Sequence, residues 1–122
     1  MKRVLLIDDE KALTELASAY LSLQGFEVEA CNDPTKTVEI LTKRPCDALV
    51  IDLMMFPIDG LTVVRKLRAL PEWAGLTVFV VSAKKVSDME RKEMLSLRVH
   101  YMPKPFLPGE LVDAIRGQLA GA

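Results

Sequence analysis

Three short apolar runs, Val4-Leu5-Leu6-Ile7, Ala48-Leu49-Val50-Ile51 and Val78-Phe79-Val80-Val81, lack the polar alternation of a half-solvated strand. Runs of this length and β-branched content read as strands covered on both faces, which requires helices above and below a parallel sheet. Each run ends in a polar residue: Asp8-Asp9 after the first, Asp52 after the second, Ser82 after the third. Near the C-terminus, Tyr101-Met102 is followed by Pro103-Lys104-Pro105. In an open parallel sheet the C-terminal strand ends lie along one edge, where ligands bind. One arrangement therefore brings three carboxylates, a hydroxyl and an ammonium to a single pocket.

The intervening segments supply the helices. Strand one is about Val4 to Asp8. Helix one follows with Leu13, Leu16, Ala17, Tyr20 and Leu21 on its inner face and Gly25 as its stop. Phe26-Glu27-Val28-Glu29-Ala30 alternates apolar and acidic residues, as suits a strand near an edge. Asp33-Pro34 is a capping acid followed by proline at the first helical position, and Pro45 bars continuation beyond about Lys43. Strand three is Ala48 to Asp52. Asp59-Gly60 opens helix three, with Leu61, Val64, Leu67 and Leu70 inward and Pro71 closing it. Strand four covers Thr77 to Ser82, and Ser87-Asp88-Met89-Glu90 forms a capping box for helix four. A short fifth strand spans about Val99 to Met102. Helix five begins at Pro108, with Leu111, Val112, Ile115 and Leu119 inward. Five βα units with right-handed crossovers give an α/β, doubly wound, flavodoxin-like sandwich: a five-stranded parallel sheet of order 2-1-3-4-5 with five helices. That order sets strands one and three side by side at the switch point.

Bulk properties remove several function classes. The chain has 122 residues, which suits one domain over 1–122, and half are hydrophobic, which argues against disorder. A formal net charge of −1 gives no electrostatic reason to expect nucleic acid or an anionic membrane as partner. No segment is long and apolar enough to span a bilayer. The apolar stretch after Met1-Lys2-Arg3 is too short for a signal peptide and runs into three acids. Cys31 and Cys46 match no metal-ligand spacing, and there is one histidine, so two reduced apolar cysteines in a cytoplasmic protein are expected.

The acidic cluster defines the chemistry. Two carboxylates about 4 Å apart repel by roughly 4 kcal/mol at an effective dielectric of about 20, so three together require a cation. Oxygen-only ligands select a hard ion, Mg²⁺. With Mg²⁺ and Lys104 the charges balance, and a phosphoryl group can approach a carboxylate. Aspartate is a covalent phosphoryl acceptor in known chemistry, and phosphoryl transfer is catalysed mainly by positioning and charge neutralisation. Asp52 stands alone at its strand end and is assigned as nucleophile. Asp8 and Asp9 would hold the metal, Asp9 most directly, while Lys104 and Ser82 would meet the equatorial oxygens.

Asp8-Asp9-Glu10 after strand one, Asp52 after strand three, Asp59-Gly60, Ser82-Ala83 after strand four and Lys104-Pro105-Phe106 after strand five resemble, in order and over essentially the full chain, the receiver domain of two-component response regulators. The resemblance implies that Asp52 takes a phosphoryl group from a histidine kinase or phosphotransfer protein. It implies Mg²⁺ held by Asp9, Asp52 and the Met54 backbone carbonyl, with Asp8 acting through water. It also implies Lys104 on the phosphoryl group with a cis bond to Pro105, and Ser82 and Tyr101 as switch residues. The helix four–strand five–helix five surface would then change shape and act on a downstream protein or effector domain, or form a dimer. Such a domain takes part in its own phosphorylation and is not a turnover enzyme. The kinase contact is expected on the outer face of helix one, at Thr14, Glu15 and Ser18, and at Phe106-Leu107.

The sequence departs from the family pattern in places. Phe56 replaces the usual proline four residues after the acceptor and Pro57 follows, which relaxes the backbone carrying the Met54 carbonyl. Pro103 adds a second proline beside Lys104. Leu107 stands where a capping residue is common, so helix five is expected to start loosely, and Leu97-Arg98-Val99 replaces small residues before strand five. Without their neighbours, Asp8-Asp9-Glu10 reads as a charged helix N-terminus, Ser82 as a polar strand end, Tyr101 as a static aromatic, His100 as an exposed strand residue and Lys84-Lys85 as a solvated loop. Three other functions compete. An aspartyl-phosphate phosphatase needs an acid/base two residues after the nucleophile, where Met54 stands. A nucleotide- or flavin-binding module needs a phosphate loop after strand one, where acids stand. A degenerate receiver, a phosphorylation-independent interaction module, remains the alternative.

Overall fold

The structure, a computed structural model, describes residues 1–120. The order of elements is β1 (Arg3–Ile7), α1 (Lys11–Leu23), β2 (Glu27–Cys31), α2 (Thr37–Lys43), β3 (Ala48–Asp52), α3 (Gly60–Arg68), β4 (Thr77–Ser82), α4 (Asp88–Ser96), β5 (His100–Pro103) and α5 (Pro108–Ala120). Short 3-10 turns at Pro34–Lys36 and Pro71–Trp73 precede α2 and β4. All pairings are parallel, in the order β2-β1-β3-β4-β5. Ile7 pairs with Ile51, Asp52 with Val81 and Ser82 with Pro103, so the C-terminal strand ends form one edge.

Alternation within the apolar runs divides the core into two layers. Leu5, Ile7, Leu49, Ile51, Val78 and Val80 face α2, α3 and α4, where they meet Leu41, Val64, Leu67 and Met94. Val4, Leu6, Val50, Phe79 and Val81 face α1 and α5, where they meet Leu21, Leu111, Val112 and Ile115. The central strands therefore carry no polar face.

Helix ends follow local chemistry. Gly25 ends α1 at φ +95°, a region open to glycine. Asp33 accepts from Thr35 N at 3.0 Å, Asp59 caps α3 by accepting from Thr62 N at 2.8 Å, and Ser87 and Glu90 close a reciprocal box at α4. Helix α5 is less loose at its start than Leu107 suggests, because Glu110 Oε1 reaches back to accept from Leu107 N at 3.0 Å. Helix α4 ends without glycine. Arg98 takes φ +57°, with Arg98 N donating to Leu95 O at 3.1 Å and Val99 N to Met94 O at 3.2 Å. Its guanidinium donates to Ala74 O at 3.0 Å, and Arg68 Nε donates to Leu97 O at 2.8 Å.

The expected inner face of α1 is displaced by one position. Leu13 and Leu16 are 42% and 67% exposed, whereas Thr14 and Leu21 are buried and Ala17 and Tyr20 half-buried. Thr14 tolerates burial because its hydroxyl donates to Lys11 O at 2.9 Å and accepts from Asn32 Nδ2 at 3.0 Å. It is therefore not on the outer face with Glu15. Leu70 lies just past α3 and is half-buried. Strand β5 runs one residue later than expected and ends in Pro103, which an edge strand accommodates. His100 is half-buried, its ring 5.0 Å from that of Phe79. The cysteines are unpaired, and burial pushes the Cys46 thiol up to about 11.

At the opposite sheet edge from the acidic strand ends, Arg3 is buried. Its guanidinium donates to Glu27 at 2.8 Å and pairs with Glu29, while Arg44 also pairs with Glu27. Arg3 N donates to Asp47 Oδ2 at 2.7 Å, and Asp47 N returns a bond to Arg3 O at 2.8 Å. Arg3 Nε is buried without a partner. The acidic face of β2 is thus paired with the Arg3 side chain, while the Arg3 backbone holds Asp47, so one residue ties β1, β2 and the approach to β3. Arg3→Ala is expected to lower unfolding free energy by about 1 kcal/mol in urea titrations, since it leaves half-exposed Glu29 without its partner and Glu27 to Arg44 alone.

Candidate functional site

The turns after β1, β3, β4 and β5 deliver the polar residues. Asp8 follows the last residue of β1, and its Oδ1 accepts from Glu10 N at 2.9 Å. Asn32, just past β2, donates to Asp8 O at 2.7 Å, so the edge strand steadies the turn. Asp52 ends β3, and its Oδ1 accepts from Met54 N at 3.1 Å. Gly60 allows α3 to begin against this strand end: its N–H donates to Leu53 O at 2.9 Å, and a Cβ there would lie 2.3 Å from Asp52 O. Ser82 is buried at the end of β4, its hydroxyl accepting from Lys84 N at 3.1 Å while its carbonyl accepts from Lys104 N at 2.8 Å. The peptide bonds Lys104–Pro105 and Phe56–Pro57 are both cis.

These turns converge on one ammonium. Lys104 Nζ lies 2.9 Å from Asp52 Oδ2 and 3.4 Å from Asp8 Oδ2. Burial pushes the Asp8 carboxyl above its ordinary value of 3.8, the Asp52 charge adds to that, and Glu10 N–H and Lys104 oppose it. For Lys104, burial alone would lower the ammonium's pKa. The hydrogen bond and charge of Asp52, with Asp8 behind it, outweigh burial and hold it above its ordinary value.

Asp9 stands apart from this pair. It is exposed, and its Oδ2 accepts from Phe56 N at 3.3 Å. Among the described residues no group of three His, Cys, Asp or Glu side chains is gathered closely enough to hold a metal ion. The donor set itself suits Mg²⁺: all ligating atoms are oxygen, and Lys104 offsets only one of the two buried carboxylates. The Met54 side chain is exposed, and Tyr101 is half-buried against the α3–α4 layer.

Two features escaped the sequence reading. Lys84 is not a free loop cation, because its ammonium lies 2.8 Å from Glu90 Oε2. An apolar cavity of about 310 Å³ opens between α1 and α5 beside Asp8 and Lys104, lined by Leu13, Leu16, Tyr20, Phe106 and Leu111 among others. No sequence signal marked it, because Leu13 and Leu16 read there as inner-face residues. No helix among the described residues is long and apolar enough to cross a membrane.

The model of the response regulator receiver domain matches residues 4–116. The chain belongs to that family. Receiver relatives include response regulator MprA of Mycobacterium leprae, 38% identical over 96% of this chain and 50% of the relative. Transcriptional regulatory protein TrcR of Mycobacterium tuberculosis is 37% identical over 96% of this chain and 45% of its own length. The chain thus spans about half the length of these relatives. Among solved structures, a putative response regulator from Chloroflexus aurantiacus aligns at 26% identity and a TM-score of 0.87, covering 98% of each chain. Chemotaxis protein CheY4 of Vibrio cholerae shares the fold at a TM-score of 0.88 and 22% identity, over 96% of this chain and 98% of that one. The receiver fold thus gathers Asp8, Asp52, Ser82 and Lys104 at one edge, with Asp9 at its rim.

The raised Asp8 pKa fixes the sign of a stability effect. Below 3.8 the carboxyl is neutral in folded and unfolded chains; as pH rises through the folded value, its charge disfavours the fold. In metal-free buffer Asp8→Asn is expected to stabilise the domain at pH 7 by about 1 kcal/mol, a melting shift of about 4 °C, and to have little effect at pH 3. Gly60→Ala is expected to cost about 1–3 kcal/mol by forcing α3 away from the Asp52 carbonyl, read in the same melting experiment.

Proposed function

We propose that the domain, over 1–122, is a phosphoacceptor switch in which Asp52 accepts a phosphoryl group from a phosphohistidine. The observation that carries this reading is the Lys104 ammonium 2.9 Å from the Asp52 carboxylate, at the buried strand-end edge of a receiver fold. An Asp52 carboxylate oxygen attacks phosphorus, the phosphorus–nitrogen bond breaks, and the imidazole leaves with a proton. Lys104 neutralises a phosphoryl oxygen, and the Ser82 hydroxyl turns from its loop to donate to another. Asp9 and Asp52, the Met54 carbonyl and, through water, Asp8 would hold Mg²⁺; Asp9 would leave Phe56 N–H to do so. The metal's contribution is to neutralise the carboxylates and the incoming phosphoryl oxygens. Met54 offers no acid/base for turnover of external esters, so the domain takes part in its own phosphorylation and dephosphorylation and is not an enzyme on other substrates.

Ser82 and Tyr101 would pass the change to the surface of α4, β5 and α5, which would then act on a downstream protein or effector domain, or on a second copy. The phosphodonor, a sensor histidine kinase or phosphotransfer protein, would dock on α1 at Glu15 and Ser18 and over the apolar cavity at Leu16, Phe106 and Leu107. Thr14 is too buried to take part. The domain would work in the cytoplasm without touching nucleic acid or membrane itself. The alternative, a degenerate receiver acting without phosphorylation, is favoured by one observation: the Asp9 carboxylate accepts from Phe56 N–H and stands apart from the Asp8–Asp52 pair.

Incubation with acetyl phosphate and Mg²⁺, followed by intact mass, separates the two. One phosphoryl group is expected, absent in Asp52→Asn and in EDTA; an unmodified wild-type mass favours the degenerate reading. With a cognate phosphohistidine protein, Leu16→Glu is expected to lower the rate relative to that from acetyl phosphate by about tenfold, roughly 1.4 kcal/mol of docking energy.

A further inference from the structure

We infer that Lys84 is a second cation for the phosphoryl group, shared in the unphosphorylated domain with Glu90 of α4, and that its transfer reports the state of Asp52 to that helix. The inference rests on the phosphoacceptor reading and deepens it. Lys84 stands two residues after Ser82, and its N–H donates to the Ser82 hydroxyl at 3.1 Å. Its ammonium lies 2.8 Å from Glu90 Oε2. Both side chains line an open crevice of about 360 Å³ together with Asp9, Met54 and Phe56, the residues beside the acceptor.

Glu90 has two donors of different origin. Its Oε1 accepts from Ser87 N at 2.9 Å, and its own N–H donates to Ser87 Oγ at 3.1 Å, which closes the capping box. Its Oε2 takes the Lys84 ammonium, which ties the first turn of α4 to the loop after β4. The Lys84 and Glu90 side chains are 39% and 23% exposed, and pairs this exposed contribute little to stability. A phosphoryl group brings about 1.5–2 negative charges, and the single ammonium of Lys104, which meets one of its oxygens, is shared with Asp8. The stronger anion therefore takes the ammonium from Glu90. The capping box survives, but the helix loses its tether to the loop. Ser82 moves in the same event: turning its hydroxyl to the phosphoryl group frees Lys84 N, so the loop and its cation are released together.

The test is amide hydrogen exchange by NMR at Glu90 and Arg91, with and without beryllofluoride and Mg²⁺ as phosphoryl stand-in. In wild type, exchange is expected to rise about fivefold on binding. Glu90→Gln, whose amide oxygen can still accept from Ser87 N, should exchange at the raised rate from the start and gain no more. Lys84→Met should behave as Glu90→Gln does, and Lys84→Arg as wild type. A rise in Lys84→Met equal to that of wild type, or none in wild type with the ligand bound, overturns the inference. The ¹⁹F signal of bound beryllofluoride keeps the two levels apart. No bound signal removes the phosphoacceptor reading and this inference with it, whereas a bound signal with unmoved α4 amides removes the role of Lys84 alone.

Discussion

Two buried carboxylates, Asp8 and Asp52, share one ammonium. Repulsion between them would open the edge of the sheet, and Lys104 is the group that opposes it. Much of the surrounding structure serves that contact. The register of β1, β3 and β4 brings the strand ends level, Gly60 lets α3 start against the Asp52 carbonyl, and the Ser82 carbonyl fixes the backbone of Lys104. One ammonium against two carboxylates leaves a negative remainder, and burial, more than that remainder, pushes the Asp8 carboxyl above its ordinary value. A site in that condition attracts cations and is sensitive to any added charge.

The layered core explains why a charge change at one edge can matter elsewhere. Asp52 and Ser82 end strands that have no solvent-facing side, so they cannot shift without disturbing the helices packed on either face. Tyr101 packs into the same layer as α4, and the Arg68–Leu97 bond joins the end of α3 to the end of α4.

Elements whose signal is local were legible in the sequence. Strands β3 and β4 fall on the expected residues because continuous apolar runs bounded by polar ones admit little latitude. Asp59 and Ser87 with Glu90 mark helix starts because capping depends on residues three apart. The convergence of Asp8, Asp52 and Lys104 was legible because topology alone brings strand ends together. What was missed depends on partners distant in sequence. Thr14 is buried because Asn32 satisfies it, which inverts the apolar-stripe rule for α1. Arg3 is buried because Glu27 and Glu29 on the neighbouring strand receive it. The bond from Phe56 N–H to Asp9 joins residues 47 positions apart, and no local pattern announces it.

The Arg3 knot lies at the far end of the sheet from Lys104, and the two clusters share no residue. Cohesion and chemistry are therefore housed at opposite poles of the same strands. Engineers could reinforce the first pole to gain ruggedness while leaving the reactive pole untouched.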